Sequence, residues 1–264
     1  MPSKPCLLSS EEFASLPAIP KWFRNNLQQP GRWVMNLDYL SQYGHAMVPL
    51  ELTRLPSPTS SRSDNNFLRS KAPLSLFLEW TTKAEENTLD RLYLAQAPLS
   101  DLPKELQDDL PAPKFVRESG NGDIYDVNIW IGMPPTYTPL HRDPNPNLFI
   151  QLVGEKTVRL MEPAIGGEIF EASQQLLRQS NSSIFRGNEM MVGREKETLE
   201  GVVWDLPRDA ESQKDGRASL SVRHQGGYEA HLKSSDGLFI PQGWWHSIKG
   251  VGDGITGSVN WWFR

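Results

Sequence analysis

Apolar and polar positions follow two periodicities along this chain, helix-like near the start and strand-like from the middle onward. Ser9 with Glu12 three residues on has the form of a capping box, and Trp22, Phe23 and Leu27 fall at helical spacing between Lys21 and Leu27. The same reading predicts a short helix at Tyr39 to Gln42, a strand over Ala46 to Leu52, and a helix led by the apolar run Leu74 to Trp80. Pro56 to Ser70, rich in Ser, Asn and Arg, reads as a loop. Strand texture begins at Leu92 to Ala95 and is interrupted by a proline-rich loop from Pro98 to Pro113 with room for one short helix.

Val127 to Gly132 (VNIWIG) alternates with period two. Asn147 to Val153 (NLFIQLV) and Lys156 to Met161 (KTVRLM), separated by Gly154-Glu155, predict a hairpin in which Val153 faces Lys156, Gln151 faces Val158 and Phe149 faces Leu160. Regular pattern is weakest from Ala164 to Gly237, whose polar centre, Arg186 to Arg217, reads as a lid, a surface insertion or a partly disordered segment. Strand signal returns at Gly237 to Pro241 and closes the chain at Thr256 to Phe263. With no internal repeat and no linker of uniform composition, a single domain over 1–264 is expected. Its lead-in of helices and strands covers 1–90, and a β core over 91–264 carries an insertion around 164–236.

Composition narrows the class. The chain has 264 residues, of which 38% are hydrophobic and 22% charged, as in a globular protein, and its 20 Gly and 21 Pro disfavour a helical bundle. With 27 basic and 32 acidic side chains the net charge is -5, which argues against broad electrostatic binding to nucleic acid or anionic membranes. No membrane span or signal peptide is expected, because no apolar run is long enough. A single cysteine, Cys6, excludes an intramolecular disulfide and suits a reducing compartment, cytoplasm or nucleus.

Candidate chemistry centres on few residues. The five histidines are His45, His141, His224, His231 and His246. His141 and Asp143, two apart, share one face of a strand, and His246 is placed to complete a set of two imidazoles and one carboxylate. Such a set leaves three positions of an octahedral ion open, as non-haem Fe(II) requires to hold a chelating cosubstrate and dioxygen. An isolated His-x-Asp pair is more often a surface or hydrogen-bonded structural pair than a metal site. If the hairpin parity extends back to Asp143 and His141, Lys156 points inward with them and needs a counter-charge, which the far carboxylate of a metal-chelated 2-oxo acid would provide. A one-residue slip would turn it to solvent.

Four blocks then carry a resemblance. Asn128 to Pro163 (NIWIGMPPTYTPLHRDPNPNLFIQLVGEKTVRLMEP), Gly237 to His246 (GLFIPQGWWH), the ending Val259-Asn260-Trp261-Trp262 and Tyr93 in RLYLAQ together resemble the JmjC-domain 2-oxoglutarate oxygenases, and among them the small hydroxylases. The resemblance covers about Tyr39 to Arg264 and implies a mainly β fold, a cupin-like jelly roll or double-stranded β-helix with flanking N-terminal helices. It implies that His141, Asp143 and His246 bind Fe(II). It also implies that Lys156, Thr138 and Tyr93 hold the distal carboxylate of 2-oxoglutarate, and that Asn147 and Asn260 lie beside its metal-bound end. With O2 the expected reaction is hydroxylation of a protein or peptide side chain. Small-molecule oxidation and tRNA modification are alternatives, as is histone demethylation, which the Asp rather than Glu ligand disfavours. A non-catalytic cupin-like binding module is the reading from another class. A kinase catalytic loop at His141-Arg142-Asp143 is excluded, since Asn147 is one residue too close and no glycine-rich phosphate loop occurs. Trp130 and Trp245 are candidate walls of a substrate pocket and Arg142 a further substrate contact, while the other tryptophans are expected to pack. His224 and His231 are expected to be structural or exposed.

Overall fold

The structure is a computed structural model that describes residues 1–54, 67–84, 90–119, 122–177, 193–204, 219–223 and 227–264. The lead-in comprises β1 (Cys6–Leu8), α1 (Ala18–Trp22), β2 (Phe23–Asn25), β3 (Trp33–Met35), α2 (Leu37–Leu40), β4 (Met47–Arg54), β5 (Phe67–Pro73) and α3 (Leu74–Lys83). There follow β6 (Asp90–Pro98), α4 (Lys104–Asp108), α5 (Lys114–Glu118), β7 (Ile124–Gly132), β8 (Thr136–Arg142), β9 (Asn147–Val153) and β10 (Glu155–Met161). The chain ends with α6 (Pro163–Leu177), α7 (Gly193–Trp204), β11 (Ser219–Arg223), β12 (Gly227–Leu232), β13 (Gly237–Ile240), β14 (Trp245–Val251) and β15 (Thr256–Phe263). No described helix is long and apolar enough to cross a membrane.

One sheet runs β1-β13-β9-β15-β7-β6-β4-β5 and a second β11-β12-β10-β14-β8. Their central quartets, β13-β9-β15-β7 and β12-β10-β14-β8, enclose a shared interior, which makes the fold a jelly roll. Strand parity assigns the two faces of the larger sheet. Ile129, Ile131, Val259, Trp261 and Phe263 point outward and join Phe13, Trp22, Phe23 and Phe77 of the lead-in in the main apolar core. Burying each such side chain contributes about 1.5–3 kcal/mol, so the lead-in is a structural half of that core. Buried Asp109 fastens it, accepting from Lys21 Nζ (2.5 Å), Trp22 Nε1 (2.9 Å) and the Tyr39 hydroxyl (2.6 Å).

The hairpin predicted at Gly154-Glu155 does not form. β9 pairs with β13 and β15, whereas β10 pairs with β12 and β14, and Gly154 is the corner where the chain passes between sheets. Its φ is +71°, and a Cβ there would lie 2.6 Å from the Ile255 carbonyl oxygen, so only glycine fits. Lys156 nevertheless faces inward, for a different reason. It shares a face of β10 with Val158 and Leu160, which oppose Ile248 and His246.

Other expectations also change. The helix expected over Lys21 to Leu27 stops at Trp22, where Phe23 turns extended and buries its ring against Gly257, leaving Leu27 exposed. Ser9 caps a single 3-10 turn by accepting from the Glu11 amide rather than that of Glu12. The expected loop at Pro56 to Ser70 is strand from Phe67 onward, and residues 55–66 lie outside the described set. The region around 164–236 contains α6, α7, β11 and also β12, a central strand of the smaller sheet. Much of its polar centre lies outside the described residues.

Candidate metal centre

β8 and β14 pair so that His141 lies directly opposite His246, with ring centroids 4.2 Å apart. Asp143 sits one residue beyond the end of β8 rather than on the strand, and its carbonyl accepts from the Gly243 amide in the turn that leads to β14. His246 Nε2 is 3.6 Å from Asp143 Oδ2 and His141 Nε2 is 3.9 Å from Oδ1, all three side chains being buried. The Nδ1 of His141 faces the Pro139 carbonyl at 2.8 Å and that of His246 the Trp244 carbonyl at 3.2 Å. A carbonyl only accepts, so each Nδ1 carries the proton and each Nε2 presents its lone pair towards Asp143. Asn147 Nδ2 donates to Asp143 Oδ2 (2.8 Å), and Asn260 Nδ2 donates to Asn147 Oδ1 (3.1 Å), which steers the carboxylate. Two oriented imidazoles and one steered carboxylate fit a divalent transition ion with open coordination positions. A bulge between His246 and Ile248 lets Thr138 and His141, three residues apart, both share this face.

Along the same interior lies Lys156, 2% exposed. Its ammonium donates to Ser258 Oγ (2.6 Å) and the Tyr93 hydroxyl (3.4 Å) and rests over the rings of Phe149 (5.5 Å) and Tyr93 (5.9 Å). No carboxylate among the described residues pairs with it, and burial lowers its pKa to about 7. Thr138 is buried opposite Ile248 on the neighbouring strand. Ser258 was not anticipated from the sequence. The available signal was the alternation of small polar residues, Thr256, Ser258 and Asn260, within an otherwise apolar last strand.

Trp130 lines the interior: it opposes Ser258 and packs 5.9 Å from the Tyr93 ring. Trp245 does not. It points to the opposite face from His246, where its ring meets Phe170 of α6 at 5.0 Å and leaves Gly166 no room for a Cβ, which would lie 2.3 Å away. Arg142 opposes Trp245 on that outer face, its guanidinium 5.7 Å from the indole. Trp245 therefore secures α6 to the sheet, with Arg142 beside its indole on the same outer face, since neighbours along a strand point to opposite faces. His231, also outside the barrel, lies 3.0 Å from Glu229, and His224 is outside the described residues.

The profile of the family described as "Cupin-like domain" matches residues 3–264. The chain belongs to that family. As a cupin-like chain it is 27% identical over 250 residues to lysine-specific demethylase JMJ30 of Arabidopsis thaliana, covering 94% of this chain and 50% of the relative. It is 26% identical over 280 residues to JmjC domain-containing protein F of Dictyostelium discoideum, covering 94% and 56%. It is 30% identical over 149 residues to lysine-specific demethylase 8 of Danio rerio, covering 55% and 35%. This cupin-like chain thus spans about half the length of the first two relatives.

Proposed function

We propose that the chain is an Fe(II)- and 2-oxoglutarate-dependent oxygenase that hydroxylates a protein or peptide side chain, working in the cytoplasm or nucleus. The observation that carries this reading is Lys156: a buried cation that among the described residues meets only hydroxyls and rings, in the same interior as a buried His-Asp-His set. Such a cation calls for an anionic ligand. When bound, iron and 2-oxoglutarate supply an oxidant made from O2, with the cosubstrate leaving as succinate and CO2. His141, Asp143 and His246 would hold the ion, and Lys156, with the Ser258, Tyr93 and Thr138 hydroxyls, would hold the distal carboxylate. Asn147, which donates to Asp143 Oδ2, would keep that carboxylate oriented for such an ion. Phe149, Leu160 and Ile248 exclude water from the enclosed space.

A specific observation favours a related outcome. Two of the relatives carry the name lysine-specific demethylase. Hydroxylation of an N-methyl carbon followed by loss of formaldehyde is demethylation, so the same centre serves both, and the target atom decides the product. The test incubates the protein with iron, 2-oxoglutarate and cell extract and follows succinate together with the mass of peptides and metabolites. Wild type forms succinate. His246→Ala loses bound metal and turnover, and Lys156→Ala weakens 2-oxoglutarate binding by more than about tenfold. A peptide gaining one oxygen supports hydroxylation, and one losing CH2 supports demethylation. Oxidation confined to metabolites overturns the protein-substrate reading, and unchanged iron and succinate in His246→Ala overturns the centre itself.

A further inference from the structure

The hairpin of β2 and β3 carries at its tip an apolar side chain that is left in water. Its loop, residues 25–31, reads NNLQQPG, and Leu27 is 97% exposed. The loop is nevertheless ordered by its own hydrogen bonds. Asn25 Oδ1 accepts from the Gly31 amide (3.0 Å), Asn26 Oδ1 accepts from the Gln28 amide (2.9 Å), and the Asn26 amide donates to the Arg32 carbonyl (2.7 Å). A leucine held at the end of such a turn loses little further backbone freedom when it docks.

Beside that tip lies a cavity of about 310 Å³, whose mouth reaches Asn26, the residue before Leu27. Its apolar walls are Trp33, Val34, Met35, Leu37, Met133 and Ile255, four of them only half-buried. The walls are fixed in place. Trp33 bridges to Gly254, the Ile255 amide donates to the Trp33 carbonyl (2.8 Å), and a Cβ on Gly254 would lie 2.6 Å from Arg32 Cγ. Among the described residues that line the cavity only Arg32 is charged, and its guanidinium donates to Gln29 Oε1 (2.6 Å). The recess therefore suits an aliphatic side chain better than an ion.

Knob and recess belong to one patch, and that selects the occupant. A surface with a projecting apolar group next to an apolar recess is complementary to itself, because a two-fold rotation brings each knob to the recess of the other copy. Charge agrees with this. All seven residues of the loop are uncharged in a chain of net charge -5, so two copies meet there without like charges on the loops. We propose that the chain forms a two-fold dimer in which Leu27 of each copy enters the cavity beside β3 of the other. His246 stands near the start of β14 and Gly254 lies beyond its end, so the dimer contact is at the end of the barrel away from the metal centre. The two sites of the dimer stay open, and the inference is independent of the oxygenase reading.

The test follows sedimentation of the full chain from micromolar to near-millimolar concentration. Wild type should show a monomer–dimer equilibrium with a dissociation constant of about 1–100 µM, as expected of a small interface. Leu27→Lys removes two docked leucines from each dimer and should raise that constant by more than about a hundredfold. Thr82→Arg, on α3 at the edge of the cavity, occupies the recess and should do the same. Both positions are exposed, so both variants should fold as wild type does, which circular dichroism checks. An equimolar mixture of the two variants keeps one intact Leu27 opposite one intact cavity, and should dimerise with a constant between those of wild type and either variant alone. A wild-type chain that stays monomeric throughout, a dimer that survives either substitution, or a mixture that associates no better than its components overturns the proposal. Growth of wild type beyond the dimer also overturns it, because knob and recess would then join copies head to tail.

Discussion

The barrel interior has two unlike halves. Around β12, β13 and the facing parts of β9 and β10 it is filled by Phe149, Val158, Leu160, Ala230, Leu232, Leu238 and Ile240, which pack as one apolar cluster. Around β7, β8, β14 and β15 it holds His141, Asn128, Asn260, Ser258 and, reaching across from β10, Lys156. Removing apolar surface from water stabilises the first half, whereas the second buries a cation without a counter-ion and amide oxygens without donors among the described residues, each of which opposes folding. The polar half is tolerated because the apolar half and the lead-in core hold its strands in place. Its side chains are consequently oriented before any ligand arrives.

The contrast can be broken from either side. Leu160→Ala, in the apolar half, should have the largest effect, lowering stability by about 2–5 kcal/mol in denaturant titration. Asn147→Ala should cost little stability but weaken metal binding by about 10–100-fold, measured by competition with a chelator, because the Asp143 carboxylate loses its guide. Lys156→Met should leave the metal-free protein as stable as wild type or more so, by up to about 1–4 kcal/mol, while weakening 2-oxoglutarate binding. A large loss of stability there would erase the distinction between the halves.

The smallest effect sharpens the comparison through pH. The folded pKa of Lys156 is lowered to about 7 from the ordinary 10.5, so between those values the unfolded chain binds more protons than the folded one. The contribution of Lys156 therefore makes unfolding free energy rise with pH from about 7 to 10.5, and below 7 its burial cost is fully present. Lys156→Met should flatten that slope. An anion bound beside the ammonium raises its pKa again, so 2-oxoglutarate binding at pH 8 should take up close to one proton per site in calorimetry across buffers of different ionisation enthalpy.

Much of this centre was legible as local spacing. His141 and Asp143 are two apart and His246 follows an apolar run, so spacing and valence nominate them, whereas Lys156 rests on the resemblance, because the hairpin parity that pointed to it is absent. What failed was pairing. Gly154-Glu155 has the composition of a hairpin turn, yet whether a glycine corner returns to the same sheet or crosses to the other depends on partners far away in sequence, here Ile255 and Thr256. Trp245 failed for a similar reason: adjacency to His246 along the chain means the opposite face on a strand. Phe23 shows the same limit in the lead-in, where contact with Gly257 overrides a helical spacing. Asn128 looks like one polar residue in an apolar strand, and that it is buried directly opposite Asn260 follows only from the pairing of β7 with β15.

The corner at Gly154 also bears on how slowly the native state is reached and left. Because successive core strands alternate between sheets, β8 pairs among the described residues only with β14, and His141 meets His246 across about a hundred residues of chain. Such long-range pairing places the fold among topologies that form in milliseconds to seconds rather than microseconds. If β8 and β14 join late, the ligand set is incomplete in the folding transition state. An ion held there then leaves the rate of folding almost untouched and lengthens the lifetime of the finished barrel, as expected of contacts made after the barrier.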